Sequence, residues 1–282
     1  MSPKPRAILS LQSEVVYGHV GNSAARFALQ RLGFDVWALP TTLLSNHPGH
    51  KKFRGEAIPA QTMRALLTGI AENGWLKNCA AVLSGYLGHA DHAEIVAEAV
   101  AQTKQANPQA LYLCDPVFGD DDGAYAKPGV AEAMARRLVP LADIIAPNRF
   151  ELASLTARQI TNPREAVAAA RSLGRREVLV TSVPFGNDEI GSLIVTRDDA
   201  VATVTPKLDA VPHGTGDLMS ALYLGGRIAG SPPLAALESA ASATHAAILA
   251  SIAAGADELV LIPAQDQLHE PNVRLIARAI TT

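Results

Sequence analysis

The chain has 282 residues, 48% of them hydrophobic, and a formal net charge of −3. That is enough apolar material for a large core, and with no clustered basic stretch it argues against nucleic acid and anionic membrane surfaces as partners. Its two cysteines, Cys79 and Cys114, sit beside apolar residues and read as reduced core thiols rather than a disulfide framework. After Met1-Ser2-Pro3-Lys4-Pro5-Arg6, the apolar stretch 7–11 is too short for a signal peptide and is ended by Gln12, Ser13 and Glu14. The Ala-rich stretch 235–254 is interrupted by Glu238, His245 and several serines, so no membrane span is expected. The expected location is the cytoplasm.

In chain order, 7–11 reads as a strand and 21–32 as a helix whose Ala25, Leu29 and Leu32 share a face. Residues 34–39 read as a second strand, and 40–59, with Asn46, Pro48 and Gly49, as a long loop, either a functional flap or a disordered segment, of which 43–54 is expected to be a mobile cover over the substrate. A helix over 61–72 precedes a strand over 80–83, which ends in Ser84-Gly85. A helix over 91–105 precedes a strand over 110–114, which ends in Asp115-Pro116. A helix over 129–138 and a strand over 142–145 follow, the strand ending in Pro147-Asn148. Helices begin near Phe150 and at Asn162-Pro163, where proline is tolerated in the first turn. A strand over 177–180 ends in Thr181-Ser182. A hairpin pairs 191–195 with 200–204, helices span 215–228 and 234–254, and 259–262 reads as a last strand. Such alternation predicts a mostly parallel sheet covered on both faces, in one domain spanning 1–282. Ligands of such sheets bind beyond the carboxyl ends of the strands. Ser13, Ser84, Asp115, Asn148, Thr181 and Ser182 are therefore site candidates.

There is no Gly-Lys dipeptide and hence no P-loop; Gly214-Thr215-Gly216 lacks the third glycine of a dinucleotide fingerprint. No zincin motif, paired CxxC or GxSxG elbow occurs. His89 and His92 have no third ligand nearby and read as a polar helix start. The sharpest feature is Gly214-Thr215-Gly216-Asp217. Behind it Leu218, Ala221, Leu222 and Gly225 keep helical spacing, so the glycines sit at a helix N-terminus. Free N–H groups and the helix dipole make that end an anion site. Asp217, in the first turn, could accept a proton from an attacking hydroxyl. The competing reading is an ordinary cap after a turn. Asp115 to Asp120 supplies carboxylates suited to Mg²⁺, although turn chemistry also uses Asp and Gly there. Asn148 and Glu151 have the spacing of a capping box, and on that motif alone capping is the stronger reading. The stretch from Gln12 to Asn22 puts a serine, a tyrosine and two glycines above the sheet, where a small polar aromatic ligand would fit.

Taken in order, Gln12 to Asn22, Ser45-Asn46-His47, Ser84-Gly85-Tyr86, Asp115-Pro116-Val117, Pro147-Asn148 with Glu151, Thr181-Ser182 and Gly214 to Asp217 resemble the pyridoxal kinases of the ribokinase-like superfamily. The resemblance covers nearly the whole chain. It implies a three-layer α/β/α sandwich and phosphorylation of the 5′-hydroxymethyl of pyridoxal by ATP. Asp217 would be the base, and Gly214, Thr215 and Gly216 the anion hole. Ser13, Tyr86, Ser45 and His47 would meet the vitamer. Asp115, Asn148, Glu151, Thr181, Ser182, Thr215 and the lid residue Tyr125 would meet ATP. Asp115, Glu151 and Asp120 would serve Mg²⁺. The family also implies a homodimer and a monovalent cation such as K⁺. Glu14, Leu44, Pro48 and Ala146 depart from the family pattern, the first three near the vitamer and the last near the nucleotide and cation. Two other readings stand beside this one: a kinase of hydroxymethylpyrimidine, and a non-catalytic B6-vitamer-binding protein.

Overall fold

A ten-stranded sheet takes strands from both ends of the chain. The structure, a computed structural model, describes residues 6–208 and 210–281; the opening residues Met1 to Pro5, read above as no part of a leader, lie outside them. The strands are β1 (Ala7–Val15), β2 (Asp35–Leu44), β3 (Gly55–Ala57), β4 (Cys79–Ser84), β5 (Leu111–Cys114), β6 (Gly119–Asp120), β7 (Gly123–Ala124), β8 (Ile144–Ile145), β9 (Glu177–Pro184), β10 (Glu189–Val195), β11 (Ala200–Pro206) and β12 (Arg278–Ala279). The helices are α1 (Asn22–Arg31), α2 (Ala60–Glu72), α3 (His92–Ala106), α4 (Val130–Ala133), α5 (Arg149–Thr156), α6 (Pro163–Ser172), α7 (Thr215–Ala229) and α8 (Pro233–Ala253). The sheet order is β12-β11-β10-β9-β8-β5-β4-β1-β2-β3, and β6 and β7 form a separate hairpin. From β2 to β9 the neighbours are parallel. Antiparallel strands close both edges.

Strand side chains alternate between the faces, and the core follows that period. Ile8, Leu83, Leu113, Ile144, Leu179 and Ile194 point to the layer built by α1, α7 and α8. Leu9, Leu11, Val82, Tyr112 and Ile145 point the other way, toward α2 and α3. Under α5 and α6 the same opposite face is filled by Val178, Val180, Leu193 and Val195. The architecture is thus the expected three-layer α/β/α sandwich on a mostly parallel sheet.

Two expectations are corrected, and one strand was unforeseen. Residues 40–44 continue β2, and 55–57 form β3 against it, so only 45–54 remains irregular. Pro40 has no N–H for the ladder. The β1–β2 register skips a residue there, from Gln12↔Pro40 to Ser13↔Thr42. Thr41, left over in the bulge, turns its hydroxyl to the Tyr86 carbonyl at 2.7 Å. Residues 259–262 are not a strand: Leu259 and Leu261 are buried in the core beneath the α1–α7–α8 layer, and only Glu258 bridges, to His213. The helix expected over 129–138 is present: α4 continues without a break as a wider π-helical stretch over Met134–Leu138, and a tight turn over Val139–Leu141 that contains Pro140 follows. The edge strand β12, from a segment without strand periodicity, was not anticipated. No described helix is long and apolar enough to cross a membrane.

Candidate active site

The carboxyl ends of β1, β4, β5, β8 and β9 face the start of α7 across a cavity of about 650 Å³. Every residue assigned above to catalysis, ATP or metal lines it, as do Ser13, Tyr86 and His47. Ser45 does not line the cavity. Its hydroxyl donates to Asn46 Oδ1 at 2.6 Å and accepts the Arg54 N–H at 2.9 Å, which ties the loop to itself.

Gly214 is the N-cap of α7, with φ 86° and no side-chain cap. A Cβ there would lie 2.0 Å from the His19 carbonyl oxygen, so the tight approach of the chain requires glycine. Thr215 does not cap its helix either; its hydroxyl donates to the Pro212 carbonyl at 2.7 Å. The first-turn N–H groups are thus left to a ligand. Asp217 accepts the Gly21 N–H at 2.8 Å. Gly21 has φ 54°, and a Cβ on it would stand 2.3 Å from the Ser13 carbonyl oxygen. The end of β1, the start of α1 and the start of α7 therefore converge on Asp217. This carboxyl lies deep below the molecular surface yet still touches solvent within the cavity. Desolvation raises its pKa to about 6, against the opposing Gly21 N–H.

Ser220 lies three residues after Asp217, on the same helix face. Its hydroxyl donates to Asp115 Oδ2 at 2.7 Å. Asp115 is buried, and its pKa is raised to about 8, first by desolvation and then by the Asp217 charge, with Ser220 opposing. Glu151 is also buried and accepts the Asn148 N–H at 2.9 Å and the Phe118 N–H at 3.1 Å. Desolvation, then the Asp115 charge, holds it well above the usual carboxylate range. The neighbours acting on these three acids are other acids and neutral donors; no cation contributes. Such an excess of hard oxygen donors fits a divalent ion. Among the described residues no group of three or more His, Cys, Asp or Glu closes a metal cage by itself. That is compatible with Mg²⁺, which takes one or two carboxylates and fills its shell with phosphate and water.

Asn148 fulfils its capping reading: Oδ1 accepts the Glu151 N–H at 2.9 Å, and the reciprocal bond completes a capping box. Its Nδ2 donates to the Gly119 carbonyl at 2.8 Å, leaving one amide hydrogen for the cavity. The Asn148 backbone bridges Thr181, and Ser182 beyond it has φ 60°. A left-handed conformation is costly for a residue with a Cβ, and such strain clusters at ligand sites. Asp120 sits on the β6–β7 hairpin, and Tyr125 just after it is 52% exposed at the mouth. Asp121 pairs with Arg149, as a turn residue would.

At the other end of the cavity, His47 stacks on His213 with centroids 3.9 Å apart. Desolvation, then the His213 charge, lowers the His47 pKa to about 4. Its Nδ1 accepts the Gly49 N–H at 3.0 Å, so the neutral ring carries its proton on Nε2. Of the four departures from the family pattern, Leu44, Pro48 and Ala146 line the cavity. Glu14 does not line it and pairs with Arg26 at 2.6 Å. Ser220 and His213 were missed by sequence reasoning. Ser220 could have been found from its three-residue spacing to Asp217, and His213 from its place before Gly214. Thr244, His245 and Leu275 also line the cavity; nothing local in the sequence marks them.

The family model described as phosphomethylpyrimidine kinase matches residues 42–261. A pyridoxal kinase PdxY of Rubrobacter xylanophilus is 43% identical, over 97% of both chains. One from Pseudomonas aeruginosa is 40% identical, over 98% of this chain and 99% of that one. A solved pyridoxal kinase of Leishmania donovani, in complex with ADP and pyridoxamine, superposes with a TM-score of 0.93 at 30% identity. That match covers 98% of this chain and 100% of the other. The chain belongs to the pyridoxal kinase family.

Proposed function

We propose that this enzyme transfers the γ-phosphoryl group of ATP to the 5′-hydroxymethyl of pyridoxal, giving pyridoxal 5′-phosphate and ADP. The observation that carries the reading is the uncapped start of α7, with Asp217 held at its first turn beside an apolar and histidine-lined pocket. The relatives' pyridoxal kinase names, and a structural relative that holds ADP with pyridoxamine, support it.

In this mechanism Asp217 takes the proton of the vitamer hydroxymethyl as its oxygen attacks the γ-phosphorus and the bond to ADP breaks. A base with a pKa of about 6 is mostly ionised at neutral pH yet basic enough to share that proton. N–H groups at Gly214 to Gly216 face the charge that develops on the transferring group. Ser13, Tyr86 and neutral His47 hold the acceptor, with the His47 Nε2–H available as a donor. Asn148, Thr181, Ser182 and Thr215 lie on the nucleotide side, with Tyr125 over it. Mg²⁺, when bound, neutralises ATP phosphate charge; Asp115, Glu151 and Asp120 would hold it. We also propose that the chain works as one kinase domain and as a cytoplasmic homodimer supported by K⁺. Sedimentation and a comparison of KCl with NaCl test the last two points.

The experiment is direct: purified protein, ATP, Mg²⁺ and pyridoxal, with product followed by absorbance. No turnover with pyridoxal, pyridoxine or pyridoxamine defeats the reading. A higher kcat/KM with hydroxymethylpyrimidine would instead favour the activity for which the matching family model is named. Vitamer binding without turnover would favour the non-catalytic alternative.

A further inference from the structure

The cover over the acceptor pocket is the irregular segment 45–54, of which His47, Pro48 and Gly49 line the cavity. Little within the segment secures it to the body of the protein. At its start the Tyr17 N–H donates to the Ser45 carbonyl at 2.9 Å, and further along His47 stacks on His213. Beyond these, His50 Nε2–H donates to Glu258 Oε1 at 2.7 Å, across 208 positions of sequence. The Glu258 side chain is 9% exposed and that of His50 28%. Glu258 is itself fixed in two further ways. Its backbone bridges His213, immediately before the Gly214 anion site. Its second carboxylate oxygen, Oε2, accepts no hydrogen bond among the described residues. Oε2 packs against Gly18, where an added Cβ would meet it at 2.6 Å. Gly18 has φ 94°, in the turn between β1 and α1 that carries the chain from Ser13 to Gly21. Tyr17 lies edge-on to the His50 ring, with centroids 6.3 Å apart.

We propose that Glu258 is a positioning residue for the acceptor alcohol: through His50 it latches the 45–54 cover shut over the vitamer, registering that cover to the Gly214 anion site. This rests on the pyridoxal kinase reading. Glu258 and His50 are absent from the cavity lining and touch no reacting atom. They act through His47 and its stacking partner His213. When the latch opens, His47, Pro48 and Gly49 leave the pocket, while the nucleotide side, built on β8, β9 and α8, is undisturbed.

The test compares His50→Ala, Glu258→Ala and the double variant with the wild type. Each single variant is expected to raise the pyridoxal KM about tenfold, the scale of one lost charge-assisted hydrogen bond, and to leave the ATP KM within twofold. The double variant is expected to be no worse than the more severe single one, because both remove the same contact. A second readout needs no turnover. Lys51, Lys52 and Arg54 are exposed in the cover, so tryptic nicking at 51–54 of the folded protein reports its opening. Nicking should accelerate in His50→Ala. Unchanged pyridoxal KM and unchanged nicking in His50→Ala would overturn the latch, as would full additivity in the double variant. His50 lies on a surface loop, so that variant decides the matter even where Glu258→Ala fails to fold. A wild type inactive on every vitamer would defeat the kinase reading while the nicking comparison still tests the latch.

Discussion

Two helix starts flank the cavity proposed for phosphoryl transfer, and they solve the same problem differently. At α5, Asn148 and Glu151 satisfy each other's backbone N–H groups in a capping box. At α7, Gly214 supplies no side chain, Thr215 bonds backward to Pro212, and Asp217 turns to Gly21. The first helix is closed by its own residues. The second leaves its N–H groups free and spends its first-turn carboxylate on a contact 196 residues away in sequence. A helix end that completes itself stabilises the fold; one left incomplete can bind an anion. The capping box also has a second use, since it fixes Glu151 beside Asp115.

If that contrast holds, changes at α7 should cost activity and changes at α5 mainly stability. The largest effect is expected for Asp217→Asn, with kcat reduced about 10² to 10⁴-fold while ADP affinity, by titration calorimetry, is retained. An unchanged kcat would remove Asp217 from the chemistry. Gly214→Ala should follow, lowering kcat on the order of 10²-fold, because the new Cβ displaces the N–H groups from their anion position. A lower melting temperature alone, with normal kcat, would make Gly214 merely structural.

The acids between the two helices give a pH test. The folded pKa of Asp115, about 8, lies above its unfolded value of 3.8, so the folded chain binds the proton more tightly. Its contribution to stability is fully present below about pH 4 and is lost as pH rises through about 8. Asp115→Asn keeps an oxygen for the Ser220 hydroxyl and removes that loss. The variant should melt higher than the wild type at pH 8, by differential scanning calorimetry, and the gap should shrink toward pH 4. Its activity should nevertheless fall. A wild-type kcat/KM that declines below about pH 6 is the matching expectation for Asp217. The smallest effects belong to the caps. Asn148→Ala should cost about 1 kcal/mol of stability and, by loosening Glu151, raise the apparent KM for Mg·ATP. Asn162→Ala removes a plain cap at the start of α6, where Oδ1 accepts the Glu165 N–H at 3.0 Å. It should cost about the same stability with no kinetic change. Equal kinetic effects from both caps would erase the distinction between the helices.

Much of this was readable without coordinates, for local reasons. Alternating strand and helix periods imposed a parallel sheet, and polar residues at strand ends marked its ligand edge. Asn148 and Glu151 showed their capping box through a three-residue spacing, because a capping box is local. Gly214 to Asp217 was less readable, because its spacing serves a cap and an anion site equally well. The choice depended on Gly21, His19 and Ser13, brought to α7 only by the packing of α1 and β1.

The sequence by itself determined the layers, the edge of the sheet where ligands bind, and the family to which the chain belongs. Those follow from periodicity and from motifs whose members are neighbours along the chain. Tertiary structure decided the rest. It turned 40–44 from loop into the end of β2 and 55–57 into the edge strand β3, denied 259–262 a strand partner, and brought 278–279 to β11. It set Ser220 on Asp115 and Glu258 on His50. Each of these is a pairing between distant segments, and one segment carries no record of the hydrogen bonds or charges that another brings to it.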